Sequence, residues 1–256
     1  MSNSFFMWTF FHKLASPPHF YRLSALFIPW LFVPGILLAA YGVYAGLFVA
    51  PADYQQGDAF RIIYVHVPAA YLSLMAYSIM AISAGIGLIW RMKLAHAVAA
   101  GAAPLGAWFT FLALATGSIW GRPMWGTWWE WGDPRLTSEL ILLFLYFGYM
   151  ALRAAIDDPA KADRASAVLA LIGAVNVPII HYSVSWWSSL HQGPTLIREG
   201  GPAIQSEMLY PLLAMILSFT LLFGALLLMR VRTEVLFRER RARWVRELLK
   251  PDEGDR

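Results

Sequence analysis

Six long apolar runs dominate this chain, and no other feature restricts its fold as strongly. They lie at Leu23 to Val49, Val67 to Trp90, Ala97 to Ile119, Leu140 to Ile156, Ala165 to Trp187 and Met208 to Met229. Crossing about 30 Å of hydrocarbon at about 1.5 Å per residue takes roughly 20 such residues in a helix. The expected fold is therefore an all-α integral membrane protein, with six transmembrane helices joined by short external helical or loop segments. Composition agrees: 59% of residues are hydrophobic, 14% are charged, and mean hydropathy is +0.53, outside the balance of a soluble domain. The fourth run is the shortest. Pro29, Pro34, Pro68, Pro104, Pro178 and Pro211 fall within or at the ends of the runs and predict kinks. The first run exceeds the apolar core of roughly 7 to 15 residues that marks a cleaved signal peptide, so it is expected to remain as a span.

Six crossings return both termini to one side, which divides the connecting segments into two sets. One set comprises the N-terminus, the turns at 91 to 96 and 153 to 164, and the tail from Arg230 onward; it holds 16 of the 20 lysines and arginines. The positive-inside rule makes that set cytoplasmic. The tail, 230 to 256, supplies most of the net charge of +4 and the pI near 9.4. It suits a solvated, snorkelling helix end, with contact to anionic lipid or a cytoplasmic partner as the alternative. Nothing in it supplies the elements that read nucleic acid.

The chain has no cysteine, which excludes disulfides, thiolate metal sites and covalent haem attachment through C-x-x-C-H. No G-x-x-x-x-G-K-[ST] occurs, so ATP energy must come from a partner. No internal repeat interrupts the pattern, and residues 1 to 256 are expected to form a single membrane domain.

The outer set of loops, 50 to 66, 120 to 139 and 188 to 207, gathers unusual chemistry. His66 and His191 fall on this side although they are far apart in sequence, and two neutral imidazoles from different segments can ligate one iron. An ordinary hydrogen-bonded role suits His12, His19 and His96 on the other side. His181, inside the fifth run, is expected to face the bundle interior in a structural role.

The stretch WGRPMWGTWWEWGDPRLT holds Trp120, Trp125, Trp128, Trp129 and Trp131. Glycines and prolines at its ends predict a short helix, 120 to 137 forming the external segment, with Trp125, Trp128 and Trp129 at i, i+3, i+4 and Trp131 beside them. Such an aromatic face serves either an interfacial anchor, as for Trp186 and Trp187, or a flat ligand. Arginines favour the ligand. Arg61 and Arg135 are candidates for bidentate bonds to carboxylates, while Arg122 and Arg198 read as solvated loop charges. Haem fits this set: iron for imidazole, porphyrin for indole and propionates for guanidinium. Glu130 and Asp133 are expected to act structurally, as a cap or an arginine partner, with orientation of a ligand histidine as the other role open to them.

MWGTWWEWGDPRLTSELILLFLY resembles the tryptophan-rich WWD segment of haem-handling proteins in cytochrome c maturation. With YVHVP around His66 and SSLHQGPT around His191, the chain resembles the haem exporter protein C family (CcmC) from its first span to its last. The resemblance implies an inner-membrane protein with cytoplasmic termini and a periplasmic haem site whose axial ligands match His66 and His191. Haem b is the implied transported ligand. Implied partners are an ABC ATPase and its membrane subunit, a small single-span membrane protein, and a periplasmic haem chaperone. The expected function is to bind haem at the periplasmic surface and present it to that chaperone, with release driven by the ATPase, and without enzymatic chemistry. The alternative is a transmembrane haem export channel, which needs a polar interior pathway; the runs show few ionisable residues besides His181. A membrane electron carrier would need a second haem site, which the runs do not show. One departure stands out: the family pattern W-x-W-D is interrupted here by Gly132, which puts the role of Asp133 in question.

Overall fold

The computed structural model describes residues 16–193, 196, 200–202 and 204–250; the sequence readings at His12 and Arg198 lie outside them. Helix α1 spans Pro17–Tyr44 and continues as a π-helical turn, Ala45–Val49. A 3-10 turn, Asp58–Ile62, leads into α2, Ile63–Trp90. Then follow α3 (Lys93–Trp125), α4 (Pro134–Ala155), α5 (Pro159–Gly173), α6 (Asn176–Trp186), α7 (Ser206–Arg238) and α8 (Arg243–Leu248). Among the described residues, six helical stretches are long and apolar enough to cross a membrane: Pro17–Val49, Asp58–Trp90, Lys93–Trp125, Pro134–Ala155, Pro159–Trp186 and Ser206–Arg238. Most extend past the apolar runs, because helices need no apolar residues where they leave the hydrocarbon.

Local chemistry explains the boundaries. Asp-Pro occurs at 133–134 and 158–159, and both times the aspartate caps a helix whose first residue is the proline. Asp133 Oδ1 accepts the N–H groups of Arg135 and Leu136 at 3.0 Å each; Asp158 Oδ1 accepts those of Ala160 and Lys161 at 2.8 and 3.0 Å. The fifth span is broken rather than kinked. Pro178 lacks an N–H and its ring crowds the carbonyl four residues earlier, at Ala174, where α5 gives way to α6. Asn176 at the break donates through Nδ2 to the Ser138 carbonyl of α4 at 2.8 Å, which pins the displaced chain.

Small residues set the packing, as expected where lipid offers no competing hydrophobic drive. The inward face of α3 carries Ala95, Ala99, Ala102, Ala103, Gly106, Ala107 and Ala113, all buried. Gly106 admits the Tyr146 ring of α4, whose hydroxyl donates to the Ser73 carbonyl of α2 at 2.8 Å. Helix α1 lies against α7 through Gly35 and Gly42, and Ser218 Oγ donates to the Gly35 carbonyl at 2.7 Å. The main buried cluster draws on α2 through α7 and leaves α1 outermost.

Alternating spans collect the starts of α2 and α4 and the ends of α3 and α6 at one end of the bundle, the tryptophan end. The opposite, basic end holds a four-residue ion network. Asp163 of α5 is bound by Arg153 of α4 at 2.5 Å and by Arg238 of α7 at 2.7 Å, and Glu234 closes the ring at 3.0 and 2.8 Å. The tail is thus not solvated throughout, since Arg238 is drawn into this network. His96 is buried against Gly87, consistent with a structural role. The expectation for His181 fails: it is exposed on α6, edge-on to Tyr182 at 4.7 Å. The ionisable groups that do point inward include Glu139 and Asp163.

Candidate functional site

His66 sits in the first turn of α2, where the 3-10 turn before it fixes the direction of entry. Its Nδ1 lies 3.0 Å from Thr116 Oγ1 of α3. That hydroxyl has a single proton and donates it to the Leu112 carbonyl at 2.6 Å, so its oxygen is left to accept from imidazole. His66 is therefore the Nδ1–H tautomer, and its Nε2 lone pair remains uncommitted. Gly117 provides the space: a Cβ there would lie 3.0 Å from His66 Cε1. Trp120 packs edge-on to the imidazole at 5.6 Å and 78°, and is itself held by Gln56, whose Oε1 accepts its Nε1–H at 2.9 Å, and by the Phe60 ring.

His191 comes from the chain beyond α6, and its support is a carboxylate. Asp133 Oδ2 accepts the Ser189 hydroxyl at 2.7 Å and the Leu190 N–H at 2.8 Å, while Oδ1 caps α4. His191 Nδ1 lies 3.5 Å from Asp133 Oδ1 and 3.4 Å from Ser189 Oγ. Both neighbours can only accept, because the Ser189 proton already goes to Asp133, so Nδ1 again carries the proton and Nε2 is free. A carboxylate placed behind an imidazole in this way orients the ring and sets its tautomer. Burial raises the pKa of Asp133, but the bonds from His191, Leu136, Ser189 and Leu190 outweigh it and hold the carboxyl well below the usual range.

His66 and His191 line one cavity, together with Arg135 and Glu139 and an apolar wall that includes Leu136 and Ile180. Its volume is about 30 Å³, room for a single water. Arg135 makes no hydrogen bond or ion pair through its guanidinium among the described residues, so its donors remain available beside the two imidazoles. Glu139, one helical turn deeper on α4, is buried with Oε1 unpartnered. Arg61 is placed differently. Its Nε bonds Asp58 Oδ1 at 2.9 Å and one terminal nitrogen bonds the Gly46 carbonyl at 2.7 Å, tying the 3-10 turn to the end of α1. It does not line the cavity.

The tryptophan segment does not form the expected short helix. Helix α3 runs through Trp120 to Trp125 and stops at Gly126, whose φ of 78° lies in the left-handed region. Residues 126–133 form an irregular loop, because local side chains take up its backbone groups. Thr127 Oγ1 bonds the carbonyl and N–H of Trp129, Glu130 Oε1 accepts the Gly132 N–H at 3.1 Å, and Thr137 Oγ1 donates to the Trp131 carbonyl. The indoles therefore diverge. Trp125 packs on His191, ring centroids 5.1 Å apart at 62°. Trp129 turns inward against the main core with its Nε1 buried, whereas Trp128 and Trp131 are 58% and 72% exposed. Gly132 is absorbed in the turn that the Asp133 N–H closes on the Glu130 carbonyl, so the departure from W-x-W-D leaves the carboxylate in place.

Two imidazoles are too few to hold a bare zinc ion, which takes three or four protein ligands, and among the described residues no third His, Cys, Asp or Glu is placed to complete such a set. They are the number required by an iron that brings its own macrocycle. Residues 10–246 match the heme exporter protein C family. The chain is 53% identical to heme exporter protein C of Escherichia coli strain K12 over 243 residues, covering 95% of this chain and 98% of that protein.

The chain belongs to the heme exporter protein C family.

Heme exporter protein C of Bradyrhizobium diazoefficiens is 51% identical over 229 residues, 90% of this chain and 86% of that protein; the Haemophilus influenzae protein is 46% identical over 242 residues, 94% and 98%. As a member of the heme exporter protein C family, the chain is a multi-pass membrane protein that handles haem in cytochrome c maturation. Trp120, read only as part of the tryptophan stretch, packs on His66, and Thr116, Gln56, Gly117 and Glu139 belong to the surroundings of the two histidines although sequence reasoning missed them. Their only signals were a polar pair inside an apolar run, Thr116 and Ser118, and a charge beside the fourth run.

Proposed function

We propose that His66 and His191 are the axial ligands of one haem b held at the periplasmic face of the inner membrane, and that the protein presents this haem to a periplasmic chaperone. The observation that carries the reading is the matched pair of imidazoles, each with Nδ1 bound by an acceptor and Nε2 left for iron. A cavity of one water does not admit a porphyrin, so haem entry requires the loop bearing His191 to swing away from α2. His66 is anchored among packed helices and His191 by one carboxylate, which makes His191 the ligand that moves. An ABC ATPase acting through its membrane subunit would drive release by this motion, with the small single-span protein as a further member of the assembly. The chain itself acts as a haem-delivery subunit and not as an enzyme.

Arg135 is the propionate donor nearest the ligands. Arg61 lies outside the cavity, held by Asp58 and the Gly46 carbonyl, and its remaining N–H groups would serve the second propionate only once the site opens. Arg135→Gln is expected to weaken haem binding about tenfold, the worth of one charge-assisted hydrogen bond, read by titrating haem into the purified protein and following the Soret band. Arg135→Lys keeps the charge but loses the planar fork and is expected to fall between.

The indoles are expected to separate by position. Trp125→Ala removes the ring against His191 and should weaken binding about fivefold, in the range of an aromatic pair. Trp128 and Trp131 offer exposed indole surface to the porphyrin rim or to lipid, and Trp129 supports the loop from within. Trp131→Ala is expected to leave axial ligation unchanged in the absorption spectrum. A loss of haem in Trp131→Ala equal to that in Trp125→Ala would reject this division.

Reconstitution in vesicles tests the function. With haem enclosed on the side of the basic end, isolated protein is expected to move none to the other side. The mid-bundle supports this, being filled by Leu72, Tyr77, Met80, Leu142 and Tyr146, all fully buried. Transport by the isolated protein would favour a channel instead. Orientation is open to a clean test because the chain has no cysteine: in intact cells a membrane-impermeant maleimide should label Ser188→Cys and spare Asp157→Cys.

A further inference from the structure

At the basic end, the start of α1 and the end of α7 enclose a cleft of about 470 Å³ with α8. Its walls carry two guanidinium groups. Arg232 stacks on the Tyr21 ring, 3.8 Å from the centroid, and bonds the Tyr21 carbonyl and Ser24 Oγ, yet meets no carboxylate among the described residues. Arg22 has no hydrogen bond or ion pair among the described residues and is exposed. Among the described residues the acidic wall residue is Glu247, which pairs with Arg243 at 2.6 Å. Counted over the described residues, the cleft wall is net positive, and it is rimmed by Tyr21 and Trp244, side chains suited to a membrane boundary.

We propose that this cleft binds the headgroup of an anionic phospholipid. Its phosphodiester lies between Arg22 and Arg232, where guanidinium forks match phosphate oxygens. The acyl chains have a path: Arg22 is followed at helical spacing by Leu26 and Trp30, 66% and 78% exposed, so one apolar stripe of α1 descends from the cleft into hydrocarbon. A soluble anion has no use for that stripe, and it commits the site to a lipid. The lipid also bridges the first span to the last, since its two arginines belong to α1 and α7.

Native mass spectrometry of the full chain, released from neutral detergent with phosphatidylglycerol or phosphatidylcholine of matched acyl chains, tests this. Phosphatidylglycerol adducts are expected to be retained preferentially. Arg22→Gln, which breaks no hydrogen bond or ion pair among the described residues, is expected to weaken that retention about fivefold, the effect of one basic residue near an anionic lipid surface. Arg164→Gln, an exposed arginine at the same end, should leave it unchanged. Arg232→Gln also loosens α1 from α7, so it serves only as a second reading. Equal retention of both lipids, or undiminished phosphatidylglycerol binding in Arg22→Gln, would overturn the proposal. Displacement of the lipid by millimolar inorganic phosphate would overturn the lipid as occupant in favour of a simple anion, and displacement by an acidic peptide would do so in favour of a protein partner.

Discussion

His191→Ala is expected to leave haem with a single protein ligand, and the purified protein should lose most of the haem it retains in wild-type form. The residual complex should show the shifted, broadened Soret band of five-coordinate iron. Added imidazole should restore the six-coordinate spectrum, because truncation to alanine leaves room for it. His66→Ala should lose as much haem but respond less to imidazole, since the ring it vacates is walled by Thr116, Gly117 and Trp120. Unchanged haem content and an unchanged Soret band in both variants, with the proteins folded, would refute the ligand assignment.

Asp133 carries the second large effect, because one side chain does two things. Asp133→Ala removes the N-cap of α4, a loss of about 0.5 to 2 kcal/mol, and the support of His191, a loss of about 10- to 100-fold in affinity by analogy with other outer-shell carboxylates. Asp133→Asn separates the two, since asparagine caps as well as aspartate but brings no charge. Its remaining oxygen keeps the cap while its NH2 faces the Leu190 N–H, so its thermal midpoint should fall less than that of Asp133→Ala while haem affinity falls as far. The pH dependence follows in sign. The folded pKa of Asp133 lies below its ordinary value near 3.8, so its stabilisation is fully present above that value and disappears only as pH falls through the lower, folded pKa. Haem retention measured from neutrality to about pH 5 should therefore show no step from this group.

The spans were legible because hydrocarbon thickness is a blunt requirement, and the six runs satisfy it without reference to any partner. Their ends were less so: α3 continues to Trp125 because a helix can leave the bilayer with Arg122 and Pro123 aboard. The break at Ala174 was visible only as Pro178. Of the site, the two histidines were legible from the side on which topology places them. The helical tryptophan face was not there to be found, because spacing reports a helix only where the backbone is free to form one, and Thr127, Glu130 and Asp133 occupy it here. Asp133 illustrates the same limit from the other direction. Sequence showed a cap, but its second oxygen meets Ser189 and Leu190 across more than fifty residues, which no local pattern encodes. Glu139 is another such case, its significance arising from the cavity that α2, α4 and the His191 loop enclose together.

The unequal anchoring of the two histidines has a kinetic consequence. Iron bonds that break together would expel haem into water, where it aggregates. Under the proposed ligation, with His66 fixed in the bundle and His191 on a tether, the two bonds would break in order, and the half-released haem would stay attached through α2 with one coordination position left to fill. A receiving protein that supplies its own ligand at that position completes an exchange, so haem need never be free between the two.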